Sequence, residues 1–240
     1  MRLWRVKKLA KLVLILVCFW RENYGTSHDI QNQSDSVFSQ FYKASQLVFK
    51  SPAMLCVGLS QAFFEGAVYS FVFMWVPSMI AVTDTLPTGL VFSCFMLAMT
   101  AGGLLTSILL TLFPNSTENV CNLAYLLSAL CVCVPIIQFE FTPIFASFLM
   151  LEAMVGVFNS AGAMLRSEYY PEGEQASIIS FFRLPLNLLV FFGTSMANAA
   201  GADPAKLKHV FAILFGLFMI SVALLSSVKL FKSKDKTKIE

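Results

Sequence analysis

Six continuous apolar runs constrain this chain more than any other feature. They span about Ala53–Ile80, Leu86–Phe113, Val120–Phe139, Pro143–Leu165, Ala176–Ala199 and Leu207–Phe231. At about 1.5 Å of rise per residue, a helix crosses the ~30 Å hydrocarbon core in roughly 20 residues. Each run therefore suffices for one crossing. Composition agrees. Of the 240 residues 57% are hydrophobic and 13% charged, where a soluble domain carries roughly a quarter charged. So few polar groups cannot cover a water-facing surface. The runs are unbroken rather than alternating, which excludes the strands of a β-barrel. The sequence predicts an all-α membrane protein whose residues 53–231 form a bundle of six transmembrane helices in the lipid bilayer.

The breaks carry turn chemistry: Thr83-Asp84-Thr85-Leu86-Pro87, Pro114-Asn115-Ser116, Glu140-Phe141-Thr142-Pro143 and Gly201-Ala202-Asp203-Pro204. All are short, so consecutive helices run antiparallel. Residues 1–52 differ. Arg2, Arg5, Lys7, Lys8 and Lys11 precede an apolar stretch, Leu12–Trp20, too short to span. It has the outline of a signal peptide, yet Cys18-Phe19-Trp20-Arg21-Glu22 offers no small-residue cleavage site. An interfacial helix or the stump of a longer one fits better. The polar stretch from Asn23 to Ser39 reads as a loop, so residues 1–52 are a basic N-terminus, a stump at 12–20 and a cytosolic loop. Residues 232–240 form a basic cytosolic tail.

Orientation follows the distribution of Lys and Arg. One side holds Arg21, Lys43, Lys50, Arg166, Lys229, Lys232, Lys234, Lys236 and Lys238; the other holds Lys206 and Lys208. This bias puts both termini in the cytosol, with the plasma membrane as the expected location. Asn32-Gln33-Ser34 and Asn115-Ser116-Thr117 are glycosylation sequons on the cytosolic side. Both should stay unmodified when the chain is expressed in a glycosylating cell. A mass shift removed by glycosidase would invert the orientation.

Beyond their ends the six runs contain three ionisable residues, Glu65, Glu152 and Arg183. A charge at mid-bilayer costs ~2.5–3.5 kcal/mol on insertion scales, so each should face a protein interior or an aqueous path. Polar neighbours support this. Gln61 and Glu65 are four apart, on one helix face; Glu152, Gly156 and Asn159 share a face, as do Arg183 and Asn187. Glu65 lies ~18 Å and Glu152 ~20 Å from the cytosolic ends of their helices, so the carboxylates reach similar depths, and Arg183 can approach both. One reading is an Arg–Glu pair that only locks helices together. The other gives Arg183 an anionic substrate, with Glu65 and Glu152 supplying charge balance or proton coupling and Gln61, Asn159 and Asn187 lining the path. One Arg against two ionised Glu is net negative, so on that reading at least one Glu is protonated when an anion binds.

Small residues mark close helix approaches: Ala98, Gly102 and Thr106 with Gly103 and Ser107, then Gly156 with Ser160, and Gly193 with Ala197. Pro77 and Pro185 should kink their helices, and Pro185 would free a carbonyl near Arg183. All six Cys lie in apolar runs and read as buried thiols. Cys131-Val132-Cys133 lacks neighbouring His or acid for a metal site. There is no phosphate-binding G-x-x-x-x-G-K-[ST] and no H-E-x-x-H. Gly193-Thr194-Ser195 has only His209, at a helix end, as a base within the runs, too little for an intramembrane protease. The chain is expected to be no enzyme, to hold no metal or cofactor and to bind no nucleic acid.

The fourth run is followed by an acidic, aromatic, proline-bearing turn that includes Glu168, Pro171, Glu174 and Gln175. It resembles the cytoplasmic loop between the tenth and eleventh helices of major facilitator transporters. GLSQAFFEGAVYSFVFMWVPSM (Gly58–Met79), the segment Leu151–Asn187 and WRENYG (Trp20–Gly25) are more specific. They resemble the molybdate-anion transporter family, the group of major facilitator superfamily domain-containing protein 5. Its patterns Q-A-x-F-E, P-E-x-E-Q-A and F-R-x-P-L fall on Gln61–Glu65, Pro171–Ala176 and Phe182–Leu186. The resemblance covers about Leu12–Phe231 and implies the C-terminal half of that fold, helices 7–12, with Leu12–Trp20 as the end of helix six. It implies molybdate uptake, an oxyanion substrate, and a partner for the half-cavity in a second six-helix half or a homodimer. A non-transporting paralogue that regulates a full-length transporter is the alternative, and a six-helix channel a third.

Overall fold

A computed structural model describes residues 37–114 and 116–236. The stump Leu12–Trp20, Cys18, and both sequon asparagines, Asn32 and Asn115, lie outside the described residues. Among those described, seven helices and no strands occur: α1 Val37–Lys50, α2 Pro52–Ile80, α3 Thr88–Leu112, α4 Thr117–Ile137, α5 Phe141–Tyr169, α6 Gln175–Ala200 and α7 Pro204–Lys236. The last six are long and apolar enough to cross a membrane. α1 falls inside the segment expected as loop. Its fourteen residues are too few to span, and its Phe41 and Phe49 rest against Phe181 of α6, with ring centres 5.4 and 6.0 Å apart.

Helix ends follow local chemistry. Ser51 caps α2, its hydroxyl accepting from the Met54 N–H at 3.3 Å, and Pro52 stands at the first position, where its missing N–H costs nothing. Asp203 does the same for α7, accepting from the Ala205 N–H at 3.0 Å ahead of Pro204. Between α6 and α7 the chain reverses through Gly201 at φ +57°, which favours glycine. α2 and α6 run through Pro77 and Pro185 without interruption.

α2, α5 and α7 bind the bundle together: α2 packs on α7, α6 and α5, while α5 packs on α3 and α4, and α4 on α7. Two aromatic layers fill the centre. In one, Phe64 meets Tyr125, Phe158 and Phe218 at 4.6, 4.5 and 5.2 Å, joining α2, α4, α5 and α7. In the other, Phe148 of α5 meets Phe71 of α2 and Phe211 of α7 at 4.8 and 5.8 Å, and Trp75 meets Phe95 of α3 at 5.3 Å.

The small-residue stripes mark the closest seams. A Cβ on Gly102 would lie 1.8 Å from the Ala153 carbonyl oxygen, and one on Gly156 1.9 Å from that of Met99. α3 and α5 thus touch backbone to backbone, and Thr106 reaches across to the Val157 carbonyl at 3.5 Å. α2 and α6 meet similarly, Gly193 against the Ser70 hydroxyl and Gly58 against the Phe182 ring. Inside the bundle Ser70 and Ser78 donate to carbonyls one turn back, at 2.8 and 2.6 Å, so their hydroxyls need no water.

Candidate functional site

The intramembrane polar residues divide between two cavities that share a wall. The first, about 320 Å³, lies between α2, α3 and α5 and contains Glu65, Glu152 and Asn159 among aromatic and aliphatic side chains. The second, about 300 Å³, lies between α2, α5 and α6 and contains Gln61, Glu65, Arg166 and Arg183, with Tyr170 and Phe182. Glu65 is the residue common to both. The three charges, which helix depths would allow to meet, are divided, with Glu152 in one cavity and Arg183 in the other.

Arg166 corrects the sequence reading. The sequence places it in a loop after a span ending at Leu165, but α5 continues to Tyr169, and Arg166 points into the bundle. Its Nη1 donates to Gln61 Oε1 at 2.9 Å and stands 3.8 Å from Glu65 Oε1. Gln61 is buried and spends its own amide on the Gly162 carbonyl, at 3.1 Å, so α2 and α5 hold Arg166 in one orientation. The signal lay in the spacing. Glu152, Asn159 and Arg166 follow in steps of seven, which returns to nearly the same face of a helix. Removing Arg166 from the loop count leaves eight basic residues against two, and the orientation rule keeps its sign.

Arg166 also changes the charge balance. Two guanidinium groups share the second cavity with Glu65 alone, so a protonated Glu is no longer needed to avoid a net negative site there. Arg183 lines the second cavity with Glu65 but makes no hydrogen bond or ion pair among the described residues. Asn159 is exposed, with its Nδ2 3.8 Å from Met99 Sδ. Asn187 is also exposed and lines neither cavity. Just beyond α5, Tyr170 is buried against Phe182; burial pushes its phenol above its ordinary value, leaving a neutral O–H donor in the second cavity.

The loop motif is half helical. Glu168 lies in the last turn of α5 and accepts from Thr117 Oγ1 at 2.5 Å, while Tyr169 donates to Glu118 Oε1 at 2.7 Å. Lys229 of α7 reaches Asn119. This network, which the sequence did not single out, ties the start of α4 to the ends of α5 and α7. Pro171 and Glu174 form the turn, the Glu174 N–H bonding the Pro171 carbonyl at 3.3 Å with Gly173 at φ +85°; Gln175 begins α6.

Six apolar helices enclosing buried polar groups make a multi-pass membrane protein, and the comparisons say of which class. A family model described as sugar transporters with twelve transmembrane spans matches residues 6–158. The chain belongs to that major facilitator family. It is 30% identical to the molybdate-anion transporter of Xenopus tropicalis over 202 residues, 78% of this chain and 41% of that protein. It is 32% identical to that of Takifugu rubripes over 190 residues, 74% of this chain and 39% of that protein. The chain spans about two fifths of the length of these curated relatives. No solved structure matches it significantly.

Proposed function

We propose that the chain is part of a secondary transporter of the major facilitator class, not an enzyme, and that the cavity between α2, α5 and α6 binds a molybdate-type oxyanion. The observation that carries this reading is the pair of guanidinium groups lining one cavity, Arg166 held by Gln61 and Glu65, and Arg183 without a hydrogen bond or ion pair among the described residues. Guanidinium matches a tetraoxyanion with paired, charge-assisted N–H bonds. A cavity of about 300 Å³ holds roughly ten waters' volume, enough for the anion and part of its hydration. In this assignment Arg183 contacts the anion, Arg166 orients it, Glu65 balances charge and Gln61 lines the site, while Glu152 and Asn159 belong to the neighbouring cavity.

Alternating access needs two six-helix halves around the substrate. The complementary half is the remainder of a longer chain, a second copy or a separate protein, in the plasma membrane with both termini cytosolic. Binding is therefore the direct test. Purified chain titrated with molybdate by calorimetry should bind it, and Arg183→Gln should weaken binding at least about tenfold, the equivalent of ~1.4 kcal/mol. Arg183→Lys should recover part of the loss. Equal binding by wild type and Arg183→Gln would remove Arg183 from the site. The second reading is a non-transporting chain that assembles with a complete transporter. Co-purification with that transporter, with no molybdate binding by this chain, would decide for it.

A further inference from the structure

The cavity between α2, α3 and α5 has the opposite chemistry to its neighbour. Its lining includes the carboxylates of Glu65 and Glu152 and no Lys, Arg or His. Glu152 is 7% exposed, lines the cavity and makes no hydrogen bond or ion pair among the described residues. A carboxylate removed from water and left alone is costly, so its surroundings select for a partner that supplies positive charge or a donor. Glu65, on the same wall, is already engaged by Arg166. Among the described residues nothing engages Glu152, so a cation entering the cavity would meet an unspent carboxylate.

The walls say which kind. Phe64, Tyr69, Trp75, Phe92 and Phe95 present aromatic rings around the space. Ring faces carry negative charge density, attract an organic cation and repel an anion. A bare metal ion would want a shell of oxygen ligands at short distance, which a cavity of about 320 Å³ walled mainly by rings and aliphatic groups does not offer. An anion would face two carboxylates. We propose that this cavity binds a small organic ammonium ion, with Glu152 as counter-ion and the rings of Trp75, Phe92 and Phe95 as its enclosure. The inference stands apart from the oxyanion reading, since the two cavities share only Glu65.

Trp75 reports occupancy directly. With Trp4→Phe and Trp20→Phe it becomes the chain's one tryptophan, of the three present. In detergent, its emission is titrated with choline chloride, with 3,3-dimethylbutan-1-ol (choline's uncharged carbon isostere) and with NaCl at matched ionic strength. The expected result is a saturable change with choline at a concentration at least about tenfold below that of the alcohol, and none with NaCl. Glu152→Gln should remove this preference while leaving the response to the alcohol unchanged, and Arg183→Gln should leave the choline response intact. Equal response to choline and alcohol in unsubstituted Glu152 protein would reduce the site to an apolar pocket and overturn the inference. So would a matching response to NaCl, or no saturable response to choline. Because molybdate binding is measured separately, its failure leaves this result standing.

Discussion

Gly156→Ala should destabilise the bundle, although the same exchange ordinarily stabilises a helix by roughly 0.5–1 kcal/mol. The sign reverses because the added Cβ meets backbone, 1.9 Å from the Met99 carbonyl oxygen and 2.9 Å from the Gly103 nitrogen. A side chain could rotate away; a main chain can only move with its helix. α3 can spare little, for its buried residues are Val91, Phe95, Gly102 and Thr106, two of them on this seam. Separating α3 from α5 should cost about 3 kcal/mol, the upper end for overpacking. Thermal unfolding in detergent should show a clear drop for Gly156→Ala. Gly216→Ala is the matched control: a Cβ there meets nothing within 4 Å, and its melting temperature should hold or rise. Equal shifts in the two variants would mean that the seam carries no load.

The same seam shows what a sequence reveals and what it withholds. Small residues at Gly102, Gly156 and Gly193 announce close contacts, and all three occur. Which helix each stripe faces is not readable, because lipid-facing and core-facing positions are both apolar and leave little contrast around each helix. Charge and amide groups stand out in apolar runs, and five of the six residues so expected line one of the two cavities; Asn187 stands out equally and lines neither. Arg166 is hidden in the sequence for the converse reason. A hydropathy reading ends a span at its first charge, whereas the helix continues because Gln61 and Glu65 satisfy that charge inside the bundle. α1 escaped notice because its apolar positions, Ala44 and Val48 among them, are scattered through polar residues.

Arg166 provides the second large effect. Arg166→Met leaves the Glu65 carboxylate facing two cavities without its ion pair and Gln61 Oε1 without its donor. Breaking a fully buried pair from one side costs about 3–5 kcal/mol, whereas replacing both members by apolar groups is often neutral. Here the side chains are 25% and 32% exposed, so the single variant should lose less, about 2 kcal/mol. Arg166→Met with Glu65→Met should recover most of that, and the difference between the double variant and the sum of the singles gives the coupling. Stability and binding should then separate. If Arg166 only locks α2 to α5, the double variant regains molybdate binding together with its fold. If it orients the anion, the double variant melts near wild type yet binds molybdate at least about tenfold more weakly. Wild-type binding in the double variant would leave Arg183 as the cavity's single anion contact. A single variant as stable as wild type would show the pair to be idle, for a guanidinium that can leave without cost is not being held.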